Sequence, residues 1–496
     1  MLYRPPDRRL GLWDTWLFQQ GDAVHLFYLQ CERTENGCSA IGHAVTRDWL
    51  HWETLPPVLR QGRGDAWDNG PLMTGVTLEH DGRYYLFYGA MVERVQRIGL
   101  AVSDDLVHWE KVGDAPLLEA AGPWYQTEPS QALNYETAWR DPYIVYHAPE
   151  ARFYAFICAR AADAGDVGGG CVAVAQSDDL LAWSLLPPAY VSETFTCLEV
   201  PEYFRIGDRH YLTYTTSYHF GTPYPVQDPL QATGTFYLVS DAMLSGYHVP
   251  SAPNVLSASA PNAVTNYVGR SIPLEGETRR LYYYHHVYPP KPGERLHGAL
   301  AAPKVLEEAQ AGALAVRYAP QVLERHARPV AHLAEPLSEA QTFVLPLQKA
   351  ADGIYQVQTQ APYAGLALRV SEGVGGELSG LAVWLAPSAE DSATWHVMLG
   401  RVVFAEGPQG RRPFFDAPTA LRQLENSLYP HTPPQVTLRV VLRDVFLDVY
   451  VDDVLYLSHT YAPDALVARG DVGVFYAGRP KQKALRDFRA LSLDAP

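Results

Sequence analysis

The sequence predicts an all-β protein, a five-bladed β-propeller followed by a C-terminal β-sandwich. Three observations lead there. A short aromatic strand motif recurs five times along the first 290 or so residues. A second motif, ending in Ser/Thr-x-Asp and a Trp a few residues on, follows the first three copies at a regular distance. No stretch before residue 300 shows sustained helical periodicity with caps.

The aromatic motif reads VHLFYL from residue 24, RYYLFYGA from 83, FYAFICA from 153, RHYLTYTT from 209 and LYYYHHV from 281. The second motif reads IGHAVTRDWLHWETLPP (41–57), IGLAVSDDLVHWEKVGD (98–114) and VAVAQSDDLLAWSLLPP (172–188), with a weaker form, TFYLVSDAMLSGYHVP, at 235–250. Each unit therefore supplies an inner strand, an aromatic strand, an Ala/Val-rich strand and a short strand after the Trp. Four short antiparallel strands per repeat make a propeller blade. Within each unit Asp48, Asp105 and Asp179 are expected to close a turn. Trp52, Trp109 and Trp183 are expected to pack between sheets, and His43, His51 and His108 to be structural. The glycine-rich GDVGGGC at 165–171 lacks the Lys-Ser/Thr of a phosphate loop and reads as a flexible hairpin.

After LAAPKVL (300–306) the repeat stops. The propeller is placed at residues 1–325, a Pro-containing polar linker at 326–338, and the sandwich at 339–496. In the last region VTLRVVLRDVFLDVYVDDVLYLSHTY (436–461) alternates apolar and polar residues about a turn at Asp452-Asp453.

Composition excludes several function classes. The chain has 496 residues, 39 Lys+Arg against 55 Asp+Glu and a formal charge of −16. Without basic clusters such a chain repels phosphate backbones and anionic membranes, so neither nucleic acid nor a membrane is an expected partner. Five cysteines at low density argue against a disulfide framework, and no CxxC or other metal-ligand spacing stands out, so no metal or other cofactor is expected. No apolar leader is visible at the N-terminus. A cytoplasmic location is the default, with export left open, as is oligomeric state.

The candidate chemistry comes from register. In a propeller the first strand of each blade lines the central channel, so acids at equivalent positions of different blades converge on one pocket. Counting back from the aromatic strands, blade 1 offers Asp14, blade 3 Asp141 and blade 4 Glu199. Blade 2 offers Thr74 and blade 5 the run YVGR, so neither supplies an acid. Carboxylates on otherwise apolar strands are rarely buried unless paired or functional.

This pattern resembles the furanoside-active propellers of clan J, most closely glycoside hydrolase family 32. IGHAVTRDWLHWETLPPVL is similar to that family's second-strand signature, WRDP (139–142) to its Arg-Asp-Pro motif, LEVPEYF (198–204) to its Glu-Cys-Pro motif, and LAAPKVL to the segment closing its propeller. The resemblance implies a hydrolase of furanosidic, chiefly β-fructofuranosidic, bonds acting with retention on an oligosaccharide, polysaccharide or small glycoside. It implies Asp14 as nucleophile, Glu199 as general acid/base with a raised pKa, and Asp141 with Arg140 holding sugar hydroxyls. Asp14 must stay ionised to attack, secured by neighbouring donors. Trp13 and Gln30 fall at sugar-contacting positions. Trp67 and Asp68 of WDNGP would stack on the sugar and accept a hydroxyl, and Tyr218 and His219 would reach the funnel rim.

The sequence also departs from the family. Its first-blade motif, Trp-Met-Asn-Asp-Pro-Asn-Gly, is reduced to LWDTW, Glu199 is followed by Val200-Pro201 with Cys197 two positions earlier, and Gln30 is displaced by one residue. Two other readings therefore stay open. One is an exo-hydrolase of the same fold on another sugar, such as arabinofuranosides. The other is a catalytically silent carbohydrate-binding propeller.

Overall fold

A computed structural model describes residues 2–35, 37–133, 136–217, 233–251, 254–259, 264–274, 278–289, 291–310, 312–325, 327–333, 343–345, 352–359, 364–373, 375–387, 395–405, 412–421, 435–461, 470–476 and 485–493. The chain divides into two compact units, Met1–Leu314 and Ala315–Pro496.

The first unit is the propeller. Blade 1 comprises β1 (Leu10–Gln20), β2 (Ala23–Glu32), β3 (Cys38–Thr46) and β4 (Glu53–Arg60). Blade 2 comprises β5 (Leu72–His80), β6 (Arg83–Val92), β7 (Val95–Ser103) and the short β8 (Glu110–Lys111). Blade 3 is β9 (Trp139–His147), β10 (Arg152–Arg160), β11 (Gly170–Ser177) and β12 (Ser184–Val191). Blade 4 is β13 (Glu199–Ile206), β14 (Arg209–Thr216), β15 (Gly234–Ser240) and β16 (Val255–Ala258). Blade 5 is built on β17 (Asn266–Leu274), β18 (Arg279–Val287), β19 (Gly298–Leu300) and β20 (Lys304–Gln310). Each aromatic motif forms the second strand of its blade, and every pairing is antiparallel. The inner strands touch in cyclic order, β1 to β5 to β9 to β13 to β17 and back to β1. The short β19 joins the last blade to the first, pairing with β18 through His285↔Leu300 and with β1 through Leu12↔Gly298.

The repeated turn has one chemistry. In blade 2 the Ser103 hydroxyl accepts the Asp105 and Leu106 amides at 3.1 and 2.9 Å, while Asp105 Oδ1 accepts the Val107 and His108 amides at 2.8 and 2.7 Å. Thr46/Asp48 and Ser177/Asp179 repeat this arrangement. The turn holds Trp49, Leu106 and Leu180 at φ between 64° and 67°, so the side-chain acceptors offset backbone strain. The Trp that follows locks neighbouring blades. Trp109 meets Phe27 of blade 1 edge-on at 6.2 Å and Trp183 meets Phe87 of blade 2 at 5.8 Å, a favoured aromatic geometry. In blade 1, which follows no earlier blade, Trp52 packs on Tyr3 at 5.5 Å instead. His51 and His108 bind the turn carboxylates at 2.7 Å, and buried His43 meets His25 at 2.9 Å.

Other expectations are modified. Cys31 and Cys38 face each other across the β2–β3 hairpin and form a disulfide, because register brings them to 4.0 Å between Cα atoms. Cys158, Cys171 and Cys197 are free and buried. The glycine-rich segment is anchored rather than a loose hairpin: buried Arg160 donates to Gly168 O at 3.0 Å and Thr196 O at 3.2 Å.

The second unit contains two antiparallel sheets. One runs through 328–333, 485–492, 353–359, 436–443, 446–451 and 454–460, the other through 343–345, 471–476, 364–372, 378–387, 395–405 and 412–421. The segment expected as linker thus differs from that reading. Arg328–Leu333 is a strand paired with Leu485–Ser492, and the division between the units falls at 314/315. Alternation within RPVAHL was masked by its Pro and His, which an outer strand tolerates. Asp452 and Asp453 form the two-residue turn, with φ of 48° and 67° as a right-twisted hairpin requires.

Candidate active site

The site is created by a β-bulge repeated in every blade. Between Trp13 and Thr15 strand β1 carries one residue more than β2, and that residue is Asp14. Strand β5 does the same at Thr74. In β9, β13 and β17 the register slips by one after Arg140, Glu199 and Tyr267. The next residues, Asp141, Val200 and Val268, take φ of 55°, 47° and 52°. An inserted residue reverses the in/out alternation of a strand and re-aims the side chains beside it. Pro142 and Pro201 fit here because the ladder is already interrupted. Five equivalent bulges therefore bring Asp14, Thr74, Arg140-Asp141, Glu199 and Tyr267 to one end of the channel.

These groups are buried and mutually bonded. Arg140 Nη2 donates to Glu199 Oε1 at 2.9 Å and lies 3.0 Å from Cys197 Sγ, and its Nε is 3.4 Å from Asp141 Oδ2. Its Nη1 donates to Gln96 Oε1 at 3.1 Å, and the same oxygen accepts the Trp139 amide at 3.0 Å, fixing the approach of the arginine. The Tyr267 hydroxyl donates to Glu199 Oε2, so both oxygens of that carboxylate are held. Asp141 Oδ2 accepts the Val200 amide at 3.1 Å. Thr74 donates its hydroxyl to Asp14 Oδ2, whereas Asp14 Oδ1 is buried with no hydrogen-bond partner.

The electrostatics rank the acids. Burial pushes Asp14 up to about 8, the negative charges of Asp141 and Glu199 add to this, and the Thr74 bond and Arg140 oppose it. Asp141 is raised to about 6, chiefly by burial, with Arg140 pulling the other way. The expectation that donors keep Asp14 ionised is thus reversed: a single hydroxyl does not outweigh desolvation and two like charges. Burial disfavours charge on Arg140, but the neighbouring Glu199 and Asp141 carboxylates hold it protonated. Tyr267 is raised by burial and then by Glu199, so it stays a neutral donor.

The other expected contacts divide. Trp13 is at the site, its indole stacked on Tyr267 at 5.5 Å and edge-on to His285 at 4.8 Å. Gln30 lies one strand out, on β2 opposite Leu12. Trp67 and Asp68 are both engaged within blades 1 and 2. Trp67 is partly buried, packing over Gly99 and at 5.7 Å from Tyr88 against the core of blades 1 and 2. The Asp68 carboxylate is buried, and its Oδ2 takes both the Tyr88 hydroxyl at 3.0 Å and Lys111, so that oxygen is engaged within the protein. Tyr218 and His219 lie outside the described residues. Thr74 and Tyr267 belong to the site although neither is an acid. Both occupy the offset that singled out the carboxylates, and a search by position rather than charge finds them. Gln96 carries no such signal. Among the described residues no group of His, Cys, Asp or Glu could hold a metal ion.

Comparison with known proteins agrees with this architecture. Residues 16–243 match the glycosyl hydrolases family 32 N-terminal domain, a stretch that holds Arg140, Asp141 and Glu199 and begins two residues after Asp14. Sucrose-6-phosphate hydrolases of Zymomonas mobilis and Escherichia coli are each 25% identical, over 196 and 207 residues. Those alignments cover 35% and 39% of this chain and span only 34% and 39% of the relatives' own length. Among solved structures, a sucrose-6-phosphate hydrolase of Lactobacillus gasseri superposes with a TM-score of 0.70 at 16% identity, covering 98% of this chain and 91% of that one. Fructan 1-exohydrolase IIa of Cichorium intybus gives 0.69 at 13%, covering 99% and 96%. A β-fructofuranosidase of Schwanniomyces occidentalis, complexed with fructosyl-erythritol, gives 0.68 at 12%, covering 99% and 96%. Over residues 16–243 the sequence is thus similar to the glycosyl hydrolases family 32 N-terminal domain, and the chain shares the fold of these solved structures.

Proposed function

We propose that the protein hydrolyses β-fructofuranosidic bonds with net retention. The observation that carries this reading is the asymmetry of two buried carboxyls at the bulged end of the channel: Asp14 has one oxygen held by Thr74 and the other unbonded, whereas Glu199 is clamped on both sides. A retaining glycosidase needs one carboxylate free to attack the anomeric carbon and a second carboxyl fixed against the leaving oxygen. Asp14 Oδ1 forms the glycosyl ester as Glu199 protonates the departing alkoxide. Water then attacks the ester, Glu199 takes its proton, and Asp14 leaves as carboxylate. Arg140 and Asp141 bind ring hydroxyls and steady the charge of the oxocarbenium-like state. The family match and the fructosidase and sucrose-phosphate hydrolase neighbours support fructose as the transferred sugar.

The test is incubation with sucrose, a fructan oligosaccharide and a panel of aryl furanosides, with release followed by NMR so that the anomer is seen. The expected result is β-fructose released first from the fructosides. Turnover that survives in both Asp14→Asn and Glu199→Gln sinks the assignment. Turnover confined to arabinofuranosides moves the substrate, and silence across the panel leaves a binding protein.

A further inference from the structure

The inner strands run on past the acids to the opposite end of the channel. There β1, β5, β9 and β17, with Tyr283 of β18, line a half-open pocket of about 480 Å³, within the ~300–1,000 Å³ of small-molecule sites. Its walls are aromatic, from Trp16, Phe18, Tyr143 and Tyr283, and its polar groups include Thr77, Gln19 and Arg270. Thr77 accepts the Trp16 indole N–H at 3.1 Å and keeps its own proton to donate. Among the described residues the lining holds one cation and no acid.

Arg270 is buried. It donates from Nη1 to Gly75 O at 2.8 Å and lies 5.4 Å from the centre of the Tyr143 ring. None of the close ion pairs among the described residues involves it, and its charge acts at longer range on Asp141, whose pKa it lowers. The nearby carboxylate of Glu202 is already saturated by the Ser271 amide at 2.7 Å, the Ser271 hydroxyl at 2.6 Å and Arg280 at 3.1 Å. A buried guanidinium offers five donors in a fixed fork, and a charge left unpaired in a cavity favours a counter-ion.

We propose that this second mouth of the propeller channel binds a small organic oxyanion, a phosphate ester or a carboxylate on a polar body, with Arg270 as its charge anchor. The aromatic walls cover the C–H faces of that body while Thr77 and Gln19 meet its hydroxyls. The pocket lies beyond the bulged end along the inner strands, and although Arg270 also acts on Asp141, ligand binding there does not depend on the reaction assigned to the acids.

Calorimetric titration of the full chain at low ionic strength tests this with glycerol 3-phosphate, gluconate and uncharged sorbitol. Saturable one-to-one binding of glycerol 3-phosphate, gluconate or both is expected, with none for sorbitol, and the two acids distinguish phosphate from carboxylate. Arg270→Gln is expected to weaken binding by about tenfold or more, the scale of a charge-assisted bond. Gln19 is exposed at the mouth, so its replacement spares the fold even if Arg270→Gln does not. Gln19→Glu weakens binding and Gln19→Lys strengthens it, each by roughly threefold, as for a part-screened charge pair. Affinity is unchanged in Asp14→Asn, which places the ligand away from the acids. Absence of saturable oxyanion binding, equal affinity in the two Gln19 variants, or loss of binding in Asp14→Asn would overturn the proposal.

Discussion

The two ends of the propeller channel are made by the same inner strands, yet one end is acidic and the other carries a buried cation with no acid among its lining residues. Strand β13 shows the difference within three residues. Glu199, before the bulge, faces the channel and is held by Arg140 and Tyr267. Glu202, after it, is buried among Ser271 and Arg280 and saturated by them. Chemical type is identical and position relative to one extra residue decides the role. A strand with unbroken alternation sends residues three apart to opposite faces, but the bulge pairs Glu199 and Glu202 with Thr215 and Thr213, two residues apart on β14, so the two acids differ by their place along the strand and by their partners.

That contrast can be broken experimentally. The largest effect is expected from Asp14→Asn, which removes the attacking oxygen and lowers kcat/KM by roughly 10⁴-fold or more. The same change should stabilise the fold at alkaline pH. A carboxyl raised from its ordinary range to about 8 favours folding below the unfolded pKa and loses that contribution as pH rises through about 8. Melting temperature should therefore rise in Asp14→Asn more at pH 8.5 than at pH 5, and an equal shift at both would refute burial as the cause.

Next in size, Glu202→Gln should cost about 3–5 kcal/mol in denaturant unfolding, because it leaves Arg280 buried and unpaired. Glu199→Gln instead should act mainly on turnover. If the two variants lose stability and activity in the same proportion, the division of labour along β13 is wrong. Tyr267→Phe removes one donor from Glu199 and is expected to lower kcat by roughly 10²-fold with a smaller change in KM, seen in steady-state kinetics. The smallest effect is a displaced pH profile. Only the ionised fraction of Asp14 attacks, so kcat/KM should fall as pH drops below about 8. Thr74→Val removes a bond that lowers the Asp14 pKa, so that limb should move upward by on the order of one unit. A limb that stays in place would exclude Asp14 as the titrating group.

Much of this was legible before any coordinates. The aromatic strands and the Ser/Thr-x-Asp…Trp repeat are local signals, and each forms the strand or turn expected of it. The positions of Asp14, Asp141 and Glu199 could be counted because blades repeat. What misled was chemistry read without neighbours. Asp68 looked like a free acceptor, but Tyr88 and Lys111, 20 and 43 residues away, both bind its Oδ2. The stretch 326–338 looked like a linker because its partner strand is more than 150 residues downstream.

The sequence by itself determined the blade repeat and the positions at which functional groups enter the channel, since strand period and turn residues act over a few positions. Tertiary structure alone decided which groups become a site. Thr74 and Tyr267 acquire a role by meeting Asp14 and Glu199 across 60 and 68 residues of chain. The charge states of Asp14 and Asp141 follow from burial and like charges contributed by other blades, and neither desolvation nor Coulomb repulsion is defined until the chain has closed.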